Sequence, residues 1–185
     1  MRLILARCLS ADLRTPLLAL SIFTDRLPTR GHTAWCDWRM DGAIARLVIE
    51  GKMTGELGQK LLIGGADRVG AERLLLFGFG PASSMDAERL QRAVALMAAD
   101  VTKLRLERWS LGVMGRELDA IPYRDAAAST LGGLLQAGGG EDAVCLVEEE
   151  PERYGLLVRE APMWLRAMAS TYGRTCELSL EDGKG

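Results

Sequence analysis

The residues with most chemical promise lie in one turn. Gly78-Phe79-Gly80-Pro81-Ala82-Ser83 follows an apolar run and precedes a helical one. Glycines in that context let the backbone approach a pyrophosphate, while the N-terminus of the following helix faces its charge. Gly78, Gly80, Ser83 and Ser84 are therefore the candidate phosphate- or nucleotide-binding residues. The pattern departs from a dinucleotide fingerprint at Ser83, where a third small residue belongs, and at Pro81, which removes an amide donor. The unit that should end in a ribose-binding carboxylate ends at Met114-Gly115 instead. Two readings stay open, a tight strand-to-helix turn and a nucleotide site.

The other constellations point away from catalysis. Gly65 and Gly70 are spaced as in a P-loop, but Ala71 and Glu72 stand where that chemistry needs Lys and a hydroxyl, so a nucleoside triphosphatase site is excluded. His32 is the only histidine and sits beside Arg30 and Thr33. With no Gly-x-Ser-x-Gly pattern in the chain, it reads as a solvated loop residue. Glu148, Glu149, Glu150 and Glu152 form an acidic run expected to be solvated at a strand end, with Glu152 favouring the start of the next helix. The four cysteines, Cys8, Cys36, Cys145 and Cys176, lack the clustered spacing of a zinc site and read as reduced, mostly buried thiols. No catalytic residue, metal ligand or cofactor is assigned.

Composition sets the class. The 185 residues suffice for a single domain spanning 1–185. They are 48% hydrophobic and 26% charged, with a formal net charge of -2. A basic excess or stripe is missing, which disfavours nucleic acid as a partner. No apolar run approaches the roughly 20 residues that cross a bilayer. The apolar N-terminus lacks the length and cleavage site of a signal peptide, so no membrane association and a cytoplasmic location are expected.

Strands are expected at Arg2 to Leu9, Leu17 to Phe23, Lys60 to Ile63, Arg73 to Phe79, Trp109 to Met114, Ala143 to Val147 and Thr175 to Leu180. Helical spacing covers Ala34 to Glu50, Asp86 to Leu106, Arg124 to Gln136 and Glu152 to Ala169. Ser83 and Ser84 are candidate caps for the second of these helices, and Gly138-Gly139-Gly140 a stop for the third. Pro162 is expected to break or kink the fourth near Ala161. Trp35, Trp38 and Trp164 read as core or interface anchors. Alternation of strands and helices predicts an α/β fold, a mixed and largely parallel sheet with helices on both faces. The two opening strands follow each other without a helix, which implies a mixed sheet.

Three segments carry a family resemblance. Asp41-Gly42-Ala43-Ile44-Ala45-Arg46-Leu47, then Gly51-Lys52-Met53-Thr54-Gly55 with Gly58, then Glu72-Arg73-Leu74-Leu75-Leu76-Phe77-Gly78-Phe79-Gly80 resemble the N-terminal domain of leucyl aminopeptidases. The resemblance runs from about Arg2 to Ala161. It implies a macro-domain-like three-layer sandwich. In that family the peptidase chemistry belongs to a second domain with an Asn-Thr-Asp-Ala-Glu-Gly-Arg signature, which this sequence lacks. The function implied is non-catalytic, in protein association or regulation of a peptidase, as a homo-oligomer or beside a separate peptidase subunit. Two alternatives stand beside it. One is a module binding a nucleotide or ADP-ribose, although the acidic-Ala-x-x-Asn-Ala-Ala-Asn segment of macro domains proper is missing. The other is a fragment of a metallo-aminopeptidase whose catalytic domain is absent here.

Overall fold

Short leucine- and valine-rich runs become strands, and the longer amphipathic segments become the helices that cover them. The computed structural model describes residues 1–138 and 142–181. Gly139 and Gly140, assigned above to a helix stop, lie outside them. The strands are β1 (Arg2–Ala6), β2 (Thr15–Phe23), β3 (Lys60–Gly64), β4 (Ala71–Gly80), β5 (Arg108–Gly112), β6 (Ala143–Val147) and β7 (Glu177–Glu181). They form one sheet in the order β3-β4-β2-β5-β6-β1-β7. Every neighbouring pair is parallel except β3 with β4. The sheet is therefore mixed at one edge. β1 and β2, whose helix-free connection implied the mixing, are separated by β6 and β5 and run parallel to them, so the antiparallel pair lies elsewhere.

The helices are α1 (Gly31–Arg39), α2 (Ala43–Ile49), α3 (Ala87–Thr102), α4 (Tyr123–Ala137) and α5 (Pro151–Tyr172). Alternate residues of β2 divide between the two faces, as a period of two requires. Leu18, Leu20 and Ile22 pack with Leu74 and Leu76 against Cys36, Met40 and Ile44 of the α1–α2 region. Leu17 and Ala19 pack with Phe77 and Phe79 on the opposite face, under Leu90, Val94 and Met97 of α3 and Leu131 and Leu134 of α4. Leu157, Ala161 and Leu165 carry α5 onto the same core. A large apolar side chain fully buried in this way contributes about 1.5–3 kcal/mol.

Two expected elements differ. The helix expected over Ala34 to Glu50 is two helices. Asp41 and Gly42 adopt φ of 54 and 76, which a continuing helix cannot contain. The Asp37 carboxylate then accepts from the amides of Ile44 at 2.8 Å and Ala45 at 3.0 Å, so it serves as the cap of α2 from seven residues away. In contrast, α5 runs without interruption through Pro162 to Tyr172. The proline deprives one carbonyl of its partner. Leu157 and Ala161 before it and Leu165 after it are all anchored in the core, and that packing seats both halves on the sheet, so the expected break does not occur. α3 starts at Ala87 with Asp86 as its cap, accepting from the Arg89 amide at 2.8 Å. Ser83 and Ser84 are not the caps; they lie in the short 3-10 turn Ala82–Ser84 ahead of it.

Asp37→Ala leaves the first amides of α2 without their acceptor. Urea denaturation is expected to show a stability loss of about 0.5–2 kcal/mol at an unchanged m-value.

Candidate functional site

β2 sends the chain to α1 on one face of the sheet, and β5 sends it to α4 on the other. The two strands are neighbours and parallel. Their C-terminal ends thus flank a topological switch point, the place where open α/β sheets form their binding crevice. Here the crevice is bounded by Ser21, His32, Thr33, Gly112, Met114 and Glu117, and the centre of a water-sized sphere can move through only about 10 Å3 of it. That is room for one water at most. A Cβ on Gly112 would lie 1.8 Å from the His32 ring, so the imidazole stacks directly on the bare backbone of β5.

Beside His32 stands Arg116, in the loop after β5 and only 6% exposed. One guanidinium nitrogen donates to Glu148 Oε1 at 2.9 Å and Glu149 Oε2 at 2.8 Å, and the other donates to Glu150 Oε1 at 3.2 Å. Glu148 is fully buried; it also accepts from the Tyr123 hydroxyl at 2.7 Å and from the Glu150 amide at 3.1 Å. Burial raises the Glu148 carboxyl above its ordinary value, and Arg116 and Tyr123 pull it back. Burial and the Glu148 charge hold the Tyr123 hydroxyl well above the usual phenol value, so it remains a donor. Glu117 turns to the other side, where Ser21 Oγ donates to it at 3.4 Å and Arg26 bonds its carbonyl. Its side chain is raised by burial.

His32 was expected in solvent; it is 7% exposed, in the first turn of α1. The residues around it in sequence are polar, but the helix points it inward between β2 and β5. Burial first, then the Arg116 charge, lowers it to about 4. Its Nδ1 has no hydrogen-bond partner among the described residues and lies 3.8 Å from Glu149 Oε2. The acidic run was also expected in solvent. Glu150 is half exposed, but Glu148 is enclosed because it continues a fully buried strand into the Arg116 pocket. Arg116 carries one signal in the sequence, a lone cation just beyond a strand end, and many solvated arginines share it.

The Gly78–Ser84 turn lies at the end of β4, on the same edge of the sheet. A Cβ on Gly78 would fall 1.9 Å from the Glu56 carbonyl oxygen, so this glycine admits the 55–58 turn. Gly80, at φ 80, donates to Gly55 O at 2.8 Å and accepts from Thr24 N at 3.1 Å. The amides of Ala82 and Ser83 both point at Asp25, with distances of 2.6 and 3.0 Å to its carboxylate oxygens. Bonds from Ser83 and Ala82 lower Asp25 to about 2. The donors that a phosphate would use thus hold an acid of the chain itself. The described residues contain no group of three or more His, Cys, Asp or Glu able to hold a metal ion. The four cysteines are free: Cys36 and Cys145 are buried, Cys8 and Cys176 half-buried. No described helix is long and apolar enough to cross a membrane.

A largely parallel sheet of this order, with a switch-point crevice at the strand ends, is the macrodomain class of α/β fold. Over 87% of its length the chain superimposes on 90% of the Oceanobacillus iheyensis macrodomain with ADP, at a TM-score of 0.67 and 13% identity. It also matches the bottromycin maturation enzyme BotP at a TM-score of 0.58 and 20% identity, covering 85% of this chain and 31% of that one. These likenesses show the fold. Residues 20–138 match the model of the cytosol aminopeptidase family, N-terminal domain, which is more than half of the chain. The chain belongs to that family. A probable cytosol aminopeptidase from Cyanothece sp. is 26% identical over 94 residues, which are 51% of this chain and 19% of that protein. The chain thus aligns with about a fifth of the length of that relative.

The neutral, buried His32 makes stability depend on pH. The unfolded chain takes up a proton at about 6.5, while the folded imidazole does so at about 4. Between those values the unfolded state binds more protons, so this group's contribution falls as pH is lowered through the window, by up to about 3 kcal/mol. Chemical denaturation of the protein and of His32→Gln from pH 7 to pH 4 should show a shallower decline in the variant.

Proposed function

We propose that this chain is a non-catalytic association domain that positions or regulates a metallo-peptidase, acting in the cytoplasm as one domain of a larger assembly. The observation that carries this reading is an exposed aromatic pair on α1. Trp35 and Trp38 are 43% and 69% exposed, with ring centroids 6.3 Å apart in a T-shaped arrangement. The Arg39 guanidinium lies 6.0 Å from the Trp38 ring centroid. Tryptophan and arginine are the residues most enriched where protein interfaces concentrate their binding energy. Solvent-exposed tryptophans on a helix whose other side is already seated on the sheet contribute little to the fold itself. The partner best matched is a peptidase catalytic domain, because the aligned segment is 19% of an aminopeptidase relative and the rest of that protein lies outside it.

Nucleotide binding is the second reading. It is favoured by the fold shared with a macrodomain holding ADP, and it would use the turn at Gly78, Gly80, Ser83 and Ser84. The Asp25 carboxylate on the Ala82 and Ser83 amides weighs against it. Thermal unfolding with ADP and ADP-ribose separates the two readings. A ligand at 100 times its dissociation constant adds roughly 2.7 kcal/mol to the folded state and raises the midpoint visibly. No shift is expected, whereas a clear rise with either compound would replace the association reading. In the matching association experiment, a purified cytosol aminopeptidase catalytic domain is titrated with this chain. Trp38→Ala is expected to weaken binding by at least 2 kcal/mol without altering the melting temperature; equal binding by the variant would remove α1 from the interface.

A further inference from the structure

The acidic run after β6 occupies Arg116 in the way an anionic ligand would. We propose that this is an autoinhibitory contact. The Arg116 guanidinium and the His32 imidazole form an oxyanion site at the β2/β5 crevice, which Glu149 and Glu150 keep closed and which a phosphate or carboxylate anion opens by displacing them.

Four observations support the proposal. First, Arg116 is 6% exposed and stands beyond the C-terminal end of β5, beside the switch point where ligands of such sheets bind. A guanidinium is the group that pairs with carboxylate or phosphate through parallel bonds. Second, the three glutamates on Arg116 are not equivalent. Glu148 is fully buried and tied to Tyr123 and to the Glu150 amide, so it is a fixed counter-ion. Glu149 is 19% exposed and Glu150 half exposed, and both reach Arg116 from the rim. These two can leave while Glu148 stays. Third, His32 is nine-tenths buried, and its Nδ1 has no hydrogen-bond partner among the described residues and faces Glu149 at 3.8 Å. An unpaired buried ring nitrogen is costly, and an oxyanion in place of Glu149 would engage it. Fourth, the local charge accounts for the closed state. Arg116, Arg153, which bonds Glu150 at 3.0 Å, and Arg26 face Glu117 and the three glutamates of the run. One net negative charge repels a free anion; neutralising Glu149 and Glu150 reverses the sign.

Calorimetric titration of the intact chain and of Glu149→Gln/Glu150→Gln with inorganic pyrophosphate and with malonate tests this site. The double variant is expected to bind at least one of them about tenfold more tightly than the unaltered chain, because the competing charges are gone and the guanidinium remains. Tighter pyrophosphate than malonate assigns a phosphate ligand, and the reverse assigns a carboxylate. Arg116→Lys in the double variant retains a cation for Glu148 but lacks the planar fork, and it should return binding to the unaltered level. Circular dichroism melting reports whether each variant is folded. If the double variant does not fold, Glu150→Gln alone, at a half-exposed position, should give a smaller gain of the same sign. No gain with either anion, or a gain that survives Arg116→Lys, overturns the proposal. The outcome at Arg116 is distinguishable from that of the association reading, which rests on Trp35 and Trp38 and fails in the peptidase titration or on a clear melting rise with ADP or ADP-ribose.

Discussion

One end of this sheet is organised around a buried guanidinium. Arg116 is charged at every accessible pH and has no acceptor capacity of its own, so its enclosure demands several carboxylate or carbonyl partners. The fold meets that demand by ending β6 in three consecutive glutamates and by bringing α4 close enough for Tyr123 to complete the hydrogen bonding of Glu148. The same guanidinium lies 3.3 Å from the His32 ring nitrogen. β5, β6, α1 and α4 are thereby tied together at the edge where a sheet of this type ordinarily opens.

The second carboxylate substitution, Asp25 on the amides of Ala82 and Ser83, follows the same physical logic at the end of β4. Parallel strands bring their C-terminal ends to one edge, and turns there leave amide donors and cations in need of acceptors. A ligand-binding sheet leaves those needs to its ligand, and in this chain acids supplied by neighbouring loops meet them. A fold shared with a macrodomain at 13% identity is compatible with either outcome, because the backbone path and the loop chemistry are specified by different residues.

The strands and the buried helical faces were legible because they depend on local periodicity. Ala143–Val147 was expected and observed with the same bounds, and the apolar spacing of Leu90, Ala93, Val94, Met97 and Val101 is the buried face of α3, while Ala87 and Leu104, which share that spacing, are exposed. The interruption between α1 and α2 was not legible: Gly42 alone does not end a helix, and the Asp37 carboxylate that caps α2 acts across a turn that spacing rules do not describe. The continuity of α5 through Pro162 was not legible. A proline's effect on a helix depends on whether tertiary packing holds both sides, and Leu157, Ala161 and Leu165 do so.

The sequence by itself determined the α/β class, the family resemblance and the lack of P-loop and nucleophile-elbow patterns, since all three reside in short-range pattern and residue identity. It could not tell that His32 and Glu148 are buried or that Arg116 joins them. These residues are 84, 116 and 32 positions apart pairwise, and the order of strands in the sheet, not their order in the chain, makes them neighbours. Only the tertiary structure decided which charges face water and which face each other.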